Sequence, residues 1–149
     1  VIADLALNTD ADILTLPETT YQLGVEIAAI MAASDKPMWV YTVAYDQISK
    51  ARSTTLLVSF DLGEYDVDEA AITTSVLPSV VATPADGSGP TIIAVHALAP
   101  IPPMLPGWKA DLQWTGPAWP KRKSRSGPAW LLAFAVATAW AVVHLVIFG

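Results

Sequence analysis

Glu18 and His96 are the two side chains whose positions most favour chemistry in this chain of 149 residues. Glu18 follows Pro17 directly after the apolar run ADILTL (11–16), and His96 lies late in the apolar run TIIAVHAL (91–98). Short apolar runs of this kind are typical of buried strands. A carboxylate at the end of such a strand can bind a hard cation such as Mg²⁺, and an imidazole close to it can move a proton near neutral pH.

Each of these residues also has a structural interpretation. A glutamate that follows a proline is often a solvated or helix-capping carboxylate, and a histidine in an apolar strand is often held by hydrogen bonds without any catalytic role. The two residue types therefore leave both a catalytic site and a purely structural role open at this point.

The elements around these residues predict an α/β domain, because helical and strand patterns alternate along the chain. Thr19 or Thr20 can cap a helix that ends near Ala33. The predicted elements are helices at about 1–8 and 20–33, and strands or extended segments at about 11–16, 38–45, 54–60, 71–83 and 91–98. This order favours a layered, mixed β-sheet with flanking helices.

Two stretches are predicted to lack regular structure. DLGEYDVDEA (61–70) has the composition of an acidic, turn-rich connector. Residues 100–120 hold six prolines, which predicts an irregular segment apart from a turn around 108–113.

The distribution of charge argues against one class of partner. All 14 acidic residues lie at or before Asp111, whereas only four basic residues lie within 1–120, so this body has a net charge of −10 (4 − 14). Binding to a nucleic-acid backbone needs clustered Lys and Arg, so we expect no nucleic-acid partner. The chain contains no Cys, and this removes disulfides and thiolate metal sites.

The last 21 residues, 129–149, contain no Asp, Glu, Lys or Arg. A helix of this length is roughly 31 Å long, close to the thickness of the hydrocarbon core of a bilayer. Lys121, Arg122, Lys123 and Arg125 precede it, where a helix would meet lipid headgroups. The sequence therefore predicts a single-pass membrane protein with a C-terminal anchor and lipid as a partner. The basic cluster favours the cytoplasmic side for itself and, with it, for the acidic body. Membrane-attached proteins with such a domain often present it outside, so the side of the membrane stays open.

Two motifs resemble the endonuclease/exonuclease/phosphatase superfamily, whose fold is DNase I-like. DADILTLPET (10–19) resembles its "aDvlaLqE" strand, TIIAVHALAPIPP (91–103) resembles its "vvnvHl.aP" strand, and TTLLVSF (54–60) fits a middle strand. The resemblance implies that Glu18 is a Mg²⁺ ligand. It also implies that His96 contacts the scissile phosphate and helps to protonate or stabilise the leaving oxygen. The implied activity is hydrolysis of a phosphoester substrate.

The resemblance covers residues 1–116 and implies half of a DNase I-like sandwich. The family's first strand with its Asn, its GDFN motif and its closing DH pair do not occur in this sequence. After Gly116 the chain changes to a Pro/Trp/basic linker at 117–128 and then to the predicted transmembrane helix at 129–149. We therefore expect a partial domain that is a phosphoesterase by ancestry but incomplete as an enzyme. We also expect its Mg²⁺ site to be weak, because one carboxylate alone holds the ion.

Two other functions stay open on the sequence. The acidic body and the Trp-rich linker suit a non-enzymatic, single-span accessory subunit that docks on another membrane protein. His144, within the predicted anchor, is a candidate ligand for haem or chlorophyll. Light-harvesting polypeptides usually have a small residue four positions before such a histidine, whereas this chain has Trp140. His144 is equally placed to lie near the far headgroups with no such role.

Overall fold

The computed structural model describes residues 1–45, 52–68 and 77–114. In this part of the chain three α-helices accompany two three-stranded antiparallel sheets, with strand orders β1-β3-β2 and β4-β5-β6. The helices are α1 (Ile2–Asn8), α2 (Tyr21–Ala33) and α3 (Leu105–Trp114). The strands are β1 (Ile13–Pro17), β2 (Met38–Ala44), β3 (Ser53–Ser59), β4 (Tyr65–Val67), β5 (Val80–Pro84) and β6 (Ile92–Ala94). The predicted α/β class is confirmed, but both sheets are antiparallel where one mixed sheet was expected.

β3 is the centre of the fold, and all seven of its residues are buried. Successive side chains of a strand face opposite sides. Leu56 and Val58 pack against the second sheet, whereas Leu57 packs against α1 and α2. A strand covered on both faces needs a nearly continuous apolar run, which TTLLVSF supplies. The result is three layers, with α1 and α2 outermost, then the sheet of β1 to β3, then the sheet of β4 to β6.

The helical layer lies close to β3 because α2 has a glycine at the contact. Thr20 is the N-cap of α2, and its hydroxyl accepts a hydrogen bond from the Leu23 N–H at 3.4 Å. Four residues further on, a Cβ at Gly24 would lie only 2.7 Å from Cγ2 of Thr55 in β3. A close approach of this kind needs glycine, and it holds the β1–α2 junction against the start of β3.

Hydrogen bonds between side chain and backbone join the two sheets. The Tyr65 N–H of β4 donates to the Tyr41 hydroxyl of β2 at 2.8 Å. The Thr54 hydroxyl of β3 donates to the carbonyl of Pro78, just before β5, at 2.6 Å. Burial raises the pKa of the Tyr41 hydroxyl, which keeps this group uncharged in the sheet interface. These bonds fix how the sheets are aligned where packing alone would be less specific.

Two of the segments predicted to be irregular are ordered. The expected acidic connector contains β4, which pairs with β5 from Tyr65 opposite Pro84 to Val67 opposite Ala82. The proline-rich stretch contains a 3₁₀ turn at Pro102–Met104 and then α3. Proline is tolerated there because the first turn of a helix needs no backbone N–H donors, and Pro106 lies in that turn. The extended segment expected at 71–83 is a strand from Val80 onward. Residues 71–76 of that segment lie outside the described residues.

Of the helices in 1–45, 52–68 and 77–114, none combines the length and the apolar composition needed to cross a bilayer. The predicted anchor at 129–149, the linker at 117–128 and His144 lie outside the described residues.

Candidate functional site

Glu18 lies at the junction between β1 and α2, and its side chain is exposed. Its backbone is left-handed, with φ +55°, a conformation that costs a residue other than glycine about 1–3 kcal/mol. The flanking residues are both tied to β3, since Pro17 pairs with Thr54 and the Thr19 carbonyl accepts from the Thr55 hydroxyl at 2.8 Å. The sheet therefore holds Glu18 in a conformation that it would not adopt by itself.

The strand predicted at 91–98 is shorter in the structure, since β6 ends at Ala94, so His96 lies two residues beyond the strand and not within it. His96 is only 4% exposed. Its backbone N–H donates to the Ser79 hydroxyl at 2.8 Å. Its ring Nδ1 lies 2.9 Å from Oγ1 of Thr54, the first inward-facing residue of β3 on this side. The first sheet thus positions the ring, while the segment before β5 positions the backbone.

Thr54 brings the two predicted site residues together, although 78 positions separate them in the sequence. It pairs with Pro17, the residue before Glu18, and it contacts the ring of His96. Burial lowers the pKa of His96, and the negative charge of Glu18 acts in the opposite direction. Glu18 and His96 therefore lie at the same end of the sandwich.

Asp111 of α3 is a third charged group in this region, and sequence reasoning missed it. It is only 2% exposed, and its Oδ2 accepts a hydrogen bond from the Leu98 N–H at 3.0 Å. Its charge also raises the pKa of His96, although the lowering by burial is larger. A single carboxylate between the apolar positions of 105–114 was the available signal, but the prolines of this stretch argued against the helix that carries it.

Thr54 was also missed as a site residue. The sequence shows it only as the polar start of an apolar strand, a position where threonine is common. Its role depends on which residues lie opposite it in the neighbouring strand and sheet.

At this end of the sandwich, Glu18 offers a magnesium ion one exposed carboxylate. In 1–45, 52–68 and 77–114, no group of three His, Cys, Asp or Glu side chains converges as a metal site. Mg²⁺ is commonly bound by one or two carboxylates, with water and substrate phosphate oxygens completing its octahedron. Glu18 is an exposed oxygen donor of this kind beside His96.

Burial of His96 makes the stability of the fold depend on pH. The pKa of His96 is lowered in the folded state, so between that pKa and the unfolded value of about 6.5 the unfolded chain binds more protons. We expect the free energy of unfolding to fall as pH drops below about 6.5. Urea unfolding of the chain between pH 5 and 8 measures this slope. His96→Asn should reduce the slope, and an unchanged slope in that variant would assign it to other groups.

No family model, no curated protein and no solved structure matches this chain, so the functional argument depends on the geometry of Glu18, His96 and their neighbours.

Proposed function

We propose that this chain is a membrane-anchored, partial domain of the endonuclease/exonuclease/phosphatase superfamily that binds a phosphoester together with Mg²⁺ and hydrolyses it. The observation that carries the proposal is the meeting of Glu18 and His96 around Thr54. The family motifs selected Glu18 and His96, which are 78 positions apart. Nothing in the sequence around either residue requires the two to lie at the same end of the fold. The packing of two sheets with helices outside one of them is compatible with half of a DNase I-like sandwich.

The two residues have different tasks in this proposal. Glu18 would hold Mg²⁺, and the bound ion would supply positive charge to the phosphoryl oxygens. His96 transfers a proton at the ring nitrogen that does not contact Thr54. Its lowered pKa leaves the ring mostly neutral at pH 7, so it is able to take up a proton there. The strained backbone of Glu18 supports a functional assignment, because such strain persists mainly where the surrounding structure maintains it.

The membrane anchor is part of the proposal. It is supported by the absence of charged residues from 129–149 and by the four basic residues at 121–125. Such an anchor would restrict the body to substrates or partners near a membrane surface.

Removing the Glu18 carboxylate tests the proposal. We expect Glu18→Gln to lower the affinity for the divalent ion at least 10-fold, because even the loss of outer partners of metal ligands costs about 10–100-fold. Mn²⁺, which can replace Mg²⁺ and broadens nearby NMR signals, should broaden the His96 ring resonances in the unaltered chain and not in the variant. Mg²⁺-dependent hydrolysis of a simple phosphodiester should fall in parallel.

Glu26→Gln is the matched control, since Glu26 is an exposed glutamate on α2 whose carboxylate accepts a hydrogen bond from the Gln22 side-chain amide at 3.3 Å. It should leave both the broadening and the hydrolysis unchanged. Equal broadening in the Glu18→Gln and unaltered chains would remove Glu18 as a ligand.

A second candidate function is the accessory subunit, and one observation favours it. Large apolar side chains are exposed on the outer surface of the helical layer, on both α1 and α2: Ile2, Leu5, Leu23, Val25 and Ile30. An apolar surface of this kind is a common feature of protein–protein contacts. Co-purification of a membrane protein in a fixed ratio, together with an absence of hydrolysis, would favour this function over the first.

A further inference from the structure

The hydrogen bonds of Thr54 determine where the proton of the His96 ring resides. The Thr54 hydroxyl lies 2.6 Å from the Pro78 carbonyl and 2.9 Å from Nδ1 of His96. A carbonyl oxygen can only accept, and a hydroxyl has a single hydrogen. That hydrogen is therefore directed to Pro78, and the Thr54 oxygen must accept from His96. Nδ1 of the ring then carries a hydrogen.

The other ring nitrogen is left as the reactive one. A neutral imidazole has one N–H, so with the hydrogen on Nδ1 the lone pair belongs to Nε2. Among the described residues, no buried side-chain nitrogen or oxygen is without a hydrogen-bond partner. The contact with Thr54 accounts for Nδ1 alone, so the small exposed part of His96 includes Nε2. Nε2 is then the ring nitrogen that carries the lone pair, in a side chain that is only 4% exposed.

We propose that Thr54 is a positioning residue that holds His96 as its Nδ1–H tautomer, so that Nε2 is a general base in the phosphoester hydrolysis. In this step Nε2 takes a proton from water while the water oxygen bonds to phosphorus and the P–O bond to the leaving oxygen breaks. The new imidazolium returns its proton to solvent, and the leaving oxygen is protonated from solvent. This role differs from the leaving-group role that the family resemblance implies, and it rests on the proposed function.

The surroundings of His96 support a base. Among the described residues, the charged groups that act on the pKa of His96 are Glu18, which follows β1, and Asp111, on α3. Both carboxylates favour the imidazolium that forms when Nε2 accepts a proton. Burial keeps the pKa low enough for the ring to be neutral before the reaction. The ring is therefore neutral before the reaction, and the two carboxylates offset part of the cost that burial imposes on the imidazolium.

The tautomer can be measured without any activity. In the full chain with His144→Asn, His96 is the sole histidine, and its two ring nitrogens can be followed by ¹⁵N NMR above its pKa. We expect Nδ1 at the shift of a protonated nitrogen and Nε2 at the shift of an unprotonated one. Thr54→Val should abolish this difference, because the acceptor for Nδ1–H is lost. A proton on Nε2 in the unaltered ring, or no change in Thr54→Val, would overturn the proposal.

Two variants separate the tautomer effect from damage to the fold. Thr54→Ser keeps the hydroxyl and should keep the Nδ1–H tautomer. Thr42→Val removes a different, partly buried threonine contact: the Thr42 and Thr55 hydroxyls lie 2.7 Å apart on the helical face of the same sheet. This variant should leave His96 unchanged. A tautomer change in Thr42→Val would show that general loosening of the sheet is responsible.

Kinetics then test the base role. We expect Thr54→Val to lower kcat by about 10²-fold with KM unchanged, and Thr54→Ser to restore it. The rate should rise with pH through the pKa of His96 and stay level above it, whereas an acid role would give the opposite slope. If NMR shows the Nδ1–H tautomer but the unaltered chain hydrolyses no phosphodiester with any divalent metal, the proposed function is wrong and the tautomer assignment stands.

Discussion

Replacing His96 by asparagine is expected to lower kcat for Mg²⁺-dependent phosphodiester hydrolysis by about 10²–10⁴-fold, the usual contribution of a positioned acid or base. Asparagine is the informative replacement because its amide nitrogen can take the place of Nδ1. The variant can keep a donor toward the Thr54 hydroxyl, which lies 2.9 Å from Nδ1, but it has no group in the place of Nε2. Steady-state rates over a range of pH would give kcat and its pH dependence for both proteins.

His144→Asn is the matched control for this experiment, because it removes the other histidine of the chain. We expect it to hydrolyse the diester as fast as the unaltered chain. If the two variants lose activity equally, or if His96→Asn retains it, His96 has no direct part in the reaction. A visible absorption band that is lost only in His144→Asn would instead indicate a pigment or haem at the predicted anchor.

Leu57→Ala is expected to lower the free energy of unfolding by about 2–5 kcal/mol, a large part of the ~5–15 kcal/mol that typical domains have. Leu57 is fully buried on the helical face of β3, where it packs with Ile27 and Met31 of α2 and with Met38 of β2. Truncation leaves a cavity at the point where the helical layer meets the central strand. Because α2 follows directly after Glu18, loss of this contact should also loosen the β1–α2 junction. Equilibrium unfolding in urea measures the change.

Leu5→Ala removes the same atoms at a position that is 66% exposed on α1, so it should change the free energy of unfolding by no more than about 0.5 kcal/mol. A similar loss of stability in both variants would contradict the three-layer arrangement, because it would make the outer surface of α1 as important as the core. A small loss in both would place Leu57 outside the core.

Ion pairs of Lys36 join the helical layer to β1, the strand that Glu18 follows. Lys36 follows α2 and forms ion pairs with Asp10 and, at 3.3 Å, with Asp12, which immediately precedes β1. The pKa of Asp10 is lowered by its hydrogen bond with Lys36 and by the charge of that lysine. These pairs lie at the opposite end of β1 from Glu18. β1 is therefore held at both ends. Lys36 binds the acidic residues that precede the strand, and Thr54 of β3 pairs with Pro17, its last residue.

Much of the secondary structure could be predicted from the sequence because it depends on neighbouring residues. The run at 54–60 predicted a strand, and β3 (Ser53–Ser59) is that strand. Thr20 was one of two candidate caps for the second helix and is the N-cap of α2. The two candidate site residues were also chosen from local patterns, as polar side chains that end apolar runs. Caps, periodicity and burial of this kind are properties of short windows.

Prediction from the sequence was less successful for elements whose secondary structure depends on contacts with other parts of the chain. Tyr65 to Val67 become a strand because β5 pairs with them, although the acidic composition around them predicted a connector. In the same way, 105–114 form a helix although prolines are concentrated nearby, because those prolines fall in the turn before α3 and in its first turn. Local propensity is a weak guide for such short segments, since tertiary contacts contribute more to their stability.

By itself, then, the sequence determined the class of the fold, the order of its main strands and which two side chains were candidates for chemistry. Only the tertiary structure decided that Thr54 lies between those candidates, that Asp111 is buried beside them, and which nitrogen of His96 carries the proton. The reason is that strand register and sheet packing bring together residues far apart in the sequence, such as Thr54 and His96, which are 42 positions apart, and no short window of sequence contains both members of such a pair.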